Sequence, residues 1–291
     1  MPVSTGPALP RRQLGRHLRT LRKEAGYTIA RTAVAVELSV ATVNRIEAGQ
    51  TSLKTRDVRA FCALYEAAPE TAAFLVTLAG ETRTRGWWQA YQDVTNAEFS
   101  FYLGLEGAAK ESLTYESELV PGLLQTEAYS QAVILTHLPG VDEDGVARRV
   151  ALRTRRQQIL TKRKPPIGLR AVLSETVLRR QLGTPGVMAA QLTKILKYTQ
   201  LPNVAIRVMP FTGGLHIGAI SGSFALLRFP LSRDGTSEPP IVCVDDLLGA
   251  SYITDEQLTA PYLAAHNGLW GAALKETTSA RLISDVLKEW K

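Results

Sequence analysis

The stretch TIARTAVAVELSVATVNRIEAG, residues 28–49, decides the reading of the first part of the chain. Thr28 can cap a helix running to about Val36, because its hydroxyl can accept from one of the first amides, which have no partner inside the helix. After Glu37 and Leu38, Ser39 repeats the device ahead of a second helix, VATVNRIEA, which stops at Gly49. On a helical wheel Val43 and Ile46 face inward with Leu38, and Ala33 is small enough for the two helices to cross closely. Val40, Ala41, Asn44 and Arg45 are left pointing outward.

Upstream, RRQLGRHLRTLRKEA at 11–25 places Leu14, Leu18 and Leu21 on one side. Arg11, Arg12, Arg16, Arg19, Arg22 and Lys23 occupy the rest of the wheel, so the expectation is an amphipathic helix with a basic outer face. Downstream, Thr55 can open a fourth helix bearing Val58, Phe61, Leu64 and Tyr65, and Pro69 a fifth reaching about Thr84. Short helices with a tight turn between the second and third form the helix-turn-helix pattern.

Charge agrees with that pattern. Residues 1–85 hold 13 Lys and Arg against 7 Asp and Glu, whereas the remainder holds 21 against 20, so six of the seven net positive charges sit on the first segment. Such an asymmetry is the footprint of a nucleic-acid-binding module joined to a near-neutral partner. A helix entering the roughly 12 Å major groove reads bases with its N-terminal part. Asn44 suits an adenine edge, Arg45 a guanine or a phosphate, and Val40 and Ala41 a thymine methyl. The polar loop Gln50–Lys54 falls where this fold meets the phosphate backbone. The full expected contact set is Thr28, Arg31, Ser39, Val40, Ala41, Thr42, Asn44, Arg45, Thr51, Ser52 and Lys54. Glu47, acidic on a helix meant for phosphates, is expected to turn inward and pair with Arg22 as a structural element.

Near Arg85 and Gly86 the character changes, with Trp87, Trp88, Tyr91, Phe99, Phe101 and Tyr102 close together. A domain boundary is placed there, giving 1–85 as the DNA-binding domain and 86–291 as a regulatory, dimerising and partner-binding domain. Strands are expected at 114–119, 167–173, 204–209, 223–229 and 241–244, with helices at 127–136, 142–160, 174–181, 185–198, 255–274 and 277–291. The expected fold is thus an all-α, five-helix helix-turn-helix domain followed by a mixed α/β or α+β domain of about five strands. RDGTSEPP at 233–240 reads as an exposed loop. Trp87, Trp88 and Tyr91 are read as junction core, with an aromatic pocket as the alternative.

The rest is read plainly. VPGLLQTEAY makes a turn and a helix start, and the basic run Arg148, Arg149, Arg153, Arg155, Arg156 makes a solvated helix face. Gly213, Gly214, His216 and Gly218 make a flexible loop without the features of a phosphate-binding motif. His17, His137, His216 and His266 are scattered, and no nucleophile or paired-carboxylate arrangement appears, so no enzyme, metal or cofactor is expected. Cys62 and Cys243 read as buried thiols. With neither a signal-peptide core nor a long apolar run, the expected location is cytoplasmic, nucleoid-associated when bound to DNA, with no membrane contact.

Residues 28–49 resemble the signature of Xre or lambda-repressor-type regulators: a Thr opens helix two, an Ala sits mid-helix, a Ser caps helix three, and Ile, Glu and Gly close it. They depart from it at Ile29, where Gln is usual, and at Glu37, where Gly is usual; the second departure implies a slightly longer helix two. The remainder resembles the C-terminal domain of antitoxin-like actinobacterial regulators, through GWW at 86–88, YESELVPGLLQTEAY at 115–129, RRVALRTRRQQIL at 148–160, LSETVLRRQLG at 173–183, and VMPF with GGLH within 208–216. That resemblance implies a transcription regulator encoded beside a small protein partner or antagonist, in a pairing compared with antitoxin and toxin. The expected partners are double-stranded DNA bearing an inverted-repeat operator, a second copy of the chain and that small protein. A one-component regulator whose second domain senses a small molecule is the alternative, and a DNA-tethered enzyme the third reading.

Overall fold

A computed structural model of the chain describes residues 7–82, 86–231, 238–246 and 249–291. Two compact units emerge. The helical unit holds residues up to Ala90 together with Asn96–Ala108, and the second holds Tyr91–Thr95 and Ala109–Lys291.

The helical unit is built from α1 (Ala8–Glu24), α2 (Ile29–Ala35), α3 (Val40–Glu47), α4 (Thr55–Leu64), α5 (Pro69–Glu81) and α6 (Ala97–Ala108). Its core collects Leu14 and Leu18 of α1, Ile46 of α3, Val58, Phe61 and Cys62 of α4, Tyr65 beyond it, and Leu75 and Leu78 of α5. The first five helices lie where the apolar spacing puts them. The sixth belongs to the same unit although it lies beyond the expected boundary at 85/86, whose Arg85 is outside the described residues. Gly104 is the reason it fits: a Cβ there would stand 2.7 Å from the Ala8 methyl and 3.2 Å from the Trp88 ring.

The second unit contains β1 (Glu111–Glu116), α7 (Glu127–His137), α8 (Glu143–Gln157), β2 (Gly168–Ser174), α9 (Glu175–Arg179), α10 (Pro185–Tyr198), β3 (Val204–Met209), α11 (Gly218–Ser221), β4 (Phe224–Arg228), β5 (Ile241–Asp246), β6 (Gly249–Ile253), α12 (Glu256–Ala272) and α13 (Glu276–Glu289). One six-stranded mixed sheet runs in the order β3-β2-β1-β4-β5-β6. The first three strands are parallel, with Tyr115 opposite Val172 and Val172 opposite Arg207. β4, β5 and β6 then add on the other side of β1, each antiparallel to its neighbour. Helical crossovers serve the parallel half and short connections the antiparallel half, as strand geometry requires. The sequence reading expected about five strands; the sixth, β6, is short and too weakly apolar to announce itself. The expected loop at 233–240 lies outside the described residues as far as 237.

One face of the sheet carries Leu113, Tyr115, Val172, Met209, Phe224, Leu226 and Val242, which pack with Leu269 and Ala273 at the end of α12. Trp270 adds a second layer of contact, because the Arg170 and Arg207 guanidinium carbons lie 4.4 and 4.3 Å from its ring. On α8 the basic run is not uniformly solvated. Arg153 turns inward and its Nη1 donates to Gln125 Oε1 at 2.5 Å, while Lys194 donates to the Gln125 carbonyl at 2.6 Å and to Gln157 Oε1 at 2.7 Å. The reason lies in the VPGLLQTEAY turn, whose buried carbonyls need donors; Gln157 supplies two more, to the carbonyls of Gly122 and Gln125.

Candidate DNA interface

The local structure of residues 28–49 follows from its caps. Thr28 Oγ1 accepts from the Arg31 amide at 3.1 Å, and Ser39 Oγ accepts from the Thr42 amide at 3.0 Å. Helix two is not lengthened at Glu37: α2 ends at Ala35, and Glu37 adopts φ 54°, the left-handed backbone that a glycine would take there. The turn is closed by the Leu38 amide donating to the Ala33 carbonyl at 2.9 Å. Helix length is therefore set by the left-handed exit, and the glutamate absorbs its strain.

α3 presents two chemically distinct faces. Val43 and Ile46 are buried, whereas Ala41, Asn44 and Arg45 are exposed and Val40 keeps 47% of its surface open. An exposed valine at the start of a helix, flanked by an amide and a guanidinium, has the composition of a base-reading edge. Thr42 is half-buried and bonds Ser39 through its hydroxyl at 2.8 Å. Ser39 and Thr42 thus act first as caps, with Ser39 still exposed.

Glycines let α1 lie directly on the end of α3. A Cβ on Gly15 would sit 2.3 Å from the Ile46 carbonyl oxygen, and one on Gly49, at φ +70°, would sit 2.5 Å from the Arg12 Cα. That close approach brings Arg22 to Glu47. Arg22 Nε donates to Glu47 Oε1 at 2.6 Å and Nη2 to Oε2 at 3.0 Å, while Nη1 donates to the Tyr27 carbonyl at 2.8 Å. The two side chains are only 9% and 7% exposed, and the carboxylate raises the Arg22 pKa further above its ordinary value. Glu47 is thereby removed from the outward face of α3.

The basic outer face of α1 is narrower than the wheel suggests. Arg12 and Arg22 are buried, and Arg11 is half-buried with its Nε donating to the Thr82 carbonyl at 3.1 Å and its pKa lowered by that burial. Arg19 and Lys23 stay exposed and Arg16 is half-buried. In the loop after α3, Ser52 and Lys54 are exposed, Thr51 is half-buried and Leu53 plugs the core. Arg31 is exposed, its guanidinium carbon 4.4 Å from the Tyr27 ring. Thr28 is exposed beside it. Arg56 and Arg59 on α4, also exposed, extend the cationic surface next to Lys54; their place immediately after the polar loop was the signal that could have added them.

Trp87, Trp88 and Tyr91 do not form a single aromatic site. Trp88 is 6% exposed and meets Trp87 edge-to-face at 5.9 Å in the helical unit. Tyr91 groups with the second unit, where the Arg148 guanidinium lies 5.0 Å over its ring and Arg148 also holds Asp93 at 2.6 Å.

Among the described residues no group of three or more His, Cys, Asp or Glu side chains could hold a metal ion, and no helix is long and apolar enough to cross a membrane. Residues 13–75 match the family described as a helix-turn-helix domain, and residues 99–285 match a domain of unknown function, DUF5753. No curated protein and no solved structure matches the chain.

Proposed function

Because the chain belongs to the DUF5753 family and carries a helix-turn-helix domain ahead of that match, we propose that it is a sequence-specific transcription regulator of the Xre or lambda-repressor type. In this reading α3 enters the major groove. The observation that carries it is the two-faced α3, with Val43 and Ile46 buried and Val40, Ala41, Asn44 and Arg45 open to solvent. Asn44 and Arg45 read base edges, Val40 and Ala41 touch thymine methyls, and Thr28, Arg31, Thr51, Ser52 and Lys54 position the backbone. Glu47 acts through Arg22 and touches no base.

The chain works as a homodimer in this reading, since one such helix reads few base pairs and two presented one DNA turn apart read an inverted repeat. The second unit dimerises, performs no catalysis and receives the controlling signal from a small antitoxin-system-like protein partner. Its near-neutral charge supports that division of labour.

Fluorescence anisotropy with fragments of the chain's own promoter tests the assignment. Affinity should fall steeply between about 50 and 200 mM salt, as displacement of counterions from several phosphates requires. Asn44→Ala should cost about 1 to 3 kcal/mol and relax base choice at one position, whereas Lys54→Ala should weaken all sequences alike. Salt-independent binding, or equal loss at every sequence for Asn44→Ala, overturns the placement of α3, and a light-scattering mass of one chain on DNA overturns the dimer.

A further inference from the structure

The carboxyl end of the sheet holds a second concentration of chemistry that the DNA-binding reading leaves unused. Strand addition reverses at β1: β2 and β3 extend the sheet on one side, and β4, β5 and β6 on the other. In open α/β sheets this reversal, at the carboxyl ends of the strands, is where ligands bind.

Register then decides which side chains meet there. Tyr115 lies opposite Phe224, and Ala225 opposite Cys243. Continuing the same pairing one residue along β1 sets Glu116 opposite Ser223, and continuing it along β5 sets Ser223 opposite Asp245. The three therefore form a row across β1, β4 and β5 on one face, at cross-strand neighbour spacing. Hydrogen bonds tie the row together: Ser223 bonds the Glu116 side chain, and Ser223 Oγ accepts from the Ser117 amide at 3.0 Å. Asp245 is exposed and leaves the row open to solvent.

Glu116 also faces Asp245 from β5, Arg156 from α8 and Tyr129 from α7. Burial pushes it up to about 8, so Arg156 does not compensate its charge. Arg153 interacts with Asp245 but spends its Nη1 on Gln125. A row with two carboxyls and no bonded cation lacks a donor.

The loop that leads into Ser223 is apolar and uncovered. From Val208 to Leu227 the chain contains no Asp, Glu, Lys or Arg. Leu215, Ile217 and Ile220 are 85, 44 and 75% exposed. Gly214 and Gly222 bracket them at φ +68° and +67°, a backbone that lets the segment pivot at both ends. The loop rests on β1, with His216 edge-on to Tyr115 at 5.9 Å, and a Cβ on Gly218 would overlap the Tyr115 ring. Exposed apolar side chains beside a polar row match a ligand with one cationic end and one apolar body.

We propose that the carboxyl end of β1, β4 and β5 binds a small primary amine, its ammonium on Glu116, Ser223 and Asp245 and its apolar body under Leu215, Ile217 and Ile220. The site lies on the sheet alone, so it stands independently of how α3 reads DNA.

Calorimetric titration of the full-length protein, without DNA, tests it with n-hexylamine as the probe and n-hexanol and hexanoate as controls. Hexylammonium should bind saturably, at least about ten-fold more tightly than hexanol, and hexanoate not at all. Bound ammonium requires the Glu116 carboxylate, so binding expels a proton below pH 8; affinity should rise by up to about ten-fold per pH unit from pH 6 and level near pH 8. The measured heat should then differ between phosphate and Tris buffers. Glu116→Gln should remove the pH dependence and at least about ten-fold of affinity; should that variant misfold, Asp245→Asn, on the exposed end of the row, carries the same test of affinity. No saturable binding up to about 10 mM, equal affinity for hexanol, or a folded Glu116→Gln that binds as the parent does overturns the proposal.

Discussion

Replacing Glu47 by Ala should destabilise the helical unit far more than an ordinary surface substitution, without removing any group proposed to touch DNA. Its carboxylate forms two bonds with Arg22, at 2.6 and 3.0 Å, and the two side chains are 9% and 7% exposed. Deleting one member of such a pair leaves the other charge buried, which costs about 3 to 5 kcal/mol. Arg22 keeps its bond to the Tyr27 carbonyl at 2.8 Å, so the lower end applies. A loss of about 3 kcal/mol shifts the folded-to-unfolded ratio roughly 150-fold, and for a unit of about this size lowers the melting temperature by roughly 12 to 24 °C. Hydrogen exchange at the α3 amides of the full-length protein, read beside a circular-dichroism melt, isolates the helical unit from the second one. The double variant Arg22→Met, Glu47→Leu removes both charges together and should recover most of the loss. A drop below about 1 kcal/mol for Glu47→Ala, or a double variant as unstable as the single one, would refute the reasoning that the pair is a buried mutual dependence.

Glu37→Gly should stabilise the helical unit: relief of the left-handed backbone at φ 54° is worth about 1 to 2 kcal/mol, against about 0.4 to 1 kcal/mol for glycine's greater freedom when unfolded. A denaturation midpoint that stays put or falls counts against the strain. His266, fully buried with Nε2 3.2 Å from the Arg170 carbonyl oxygen, is pushed down to about 4 by burial. Its folded value lies below the unfolded one, so its contribution is complete above about pH 6.5 and is lost as pH falls through 4, about 3 kcal/mol in all. His266→Phe should flatten the fall in the second unit's stability between pH 6.5 and 4; an unchanged slope would show that other groups carry the acid sensitivity.

The helical unit was legible because its determinants are local. Thr28, Ser39 and Pro69 mark helix starts within a few residues of the helices they open, and the burial of Val43 and Ile46 follows from a three-residue spacing on a single helix. Even the Arg22–Glu47 pair could be argued in advance, since an acid on a helix facing phosphates has to go elsewhere. Where the reading failed, a distant partner decided the matter. Arg12 looked solvated on its own wheel, but it lies under the Gly49 backbone. α6 looked like an aromatic boundary until Gly104 met Ala8 and Trp88. The departure at Glu37 pointed to a longer helix because the rule that a glutamate avoids left-handed backbone is a preference of about 1 to 2 kcal/mol, which the closed Leu38–Ala33 turn overcomes.

The second unit shows the same division more sharply. Parallel strands announce themselves by composition, as Val204, Ile206 and Val208 do, but strand order and register are set by pairings that span more than a hundred residues, such as Glu111 with Arg228. Glu116, Ser223 and Asp245 look unrelated along the chain, and none carries a motif. Only the reversal of strand addition at β1 puts them in one row. Arg153 belongs to the same class of surprise. A stripe of arginines on α8 predicts a wet face by periodicity, yet the residue that meets the Gln125 side chain is drawn inward by an unsatisfied carbonyl-rich turn thirty residues earlier. Chemistry held on one helix can be read from spacing, whereas chemistry assembled across strands becomes visible only after the topology is known.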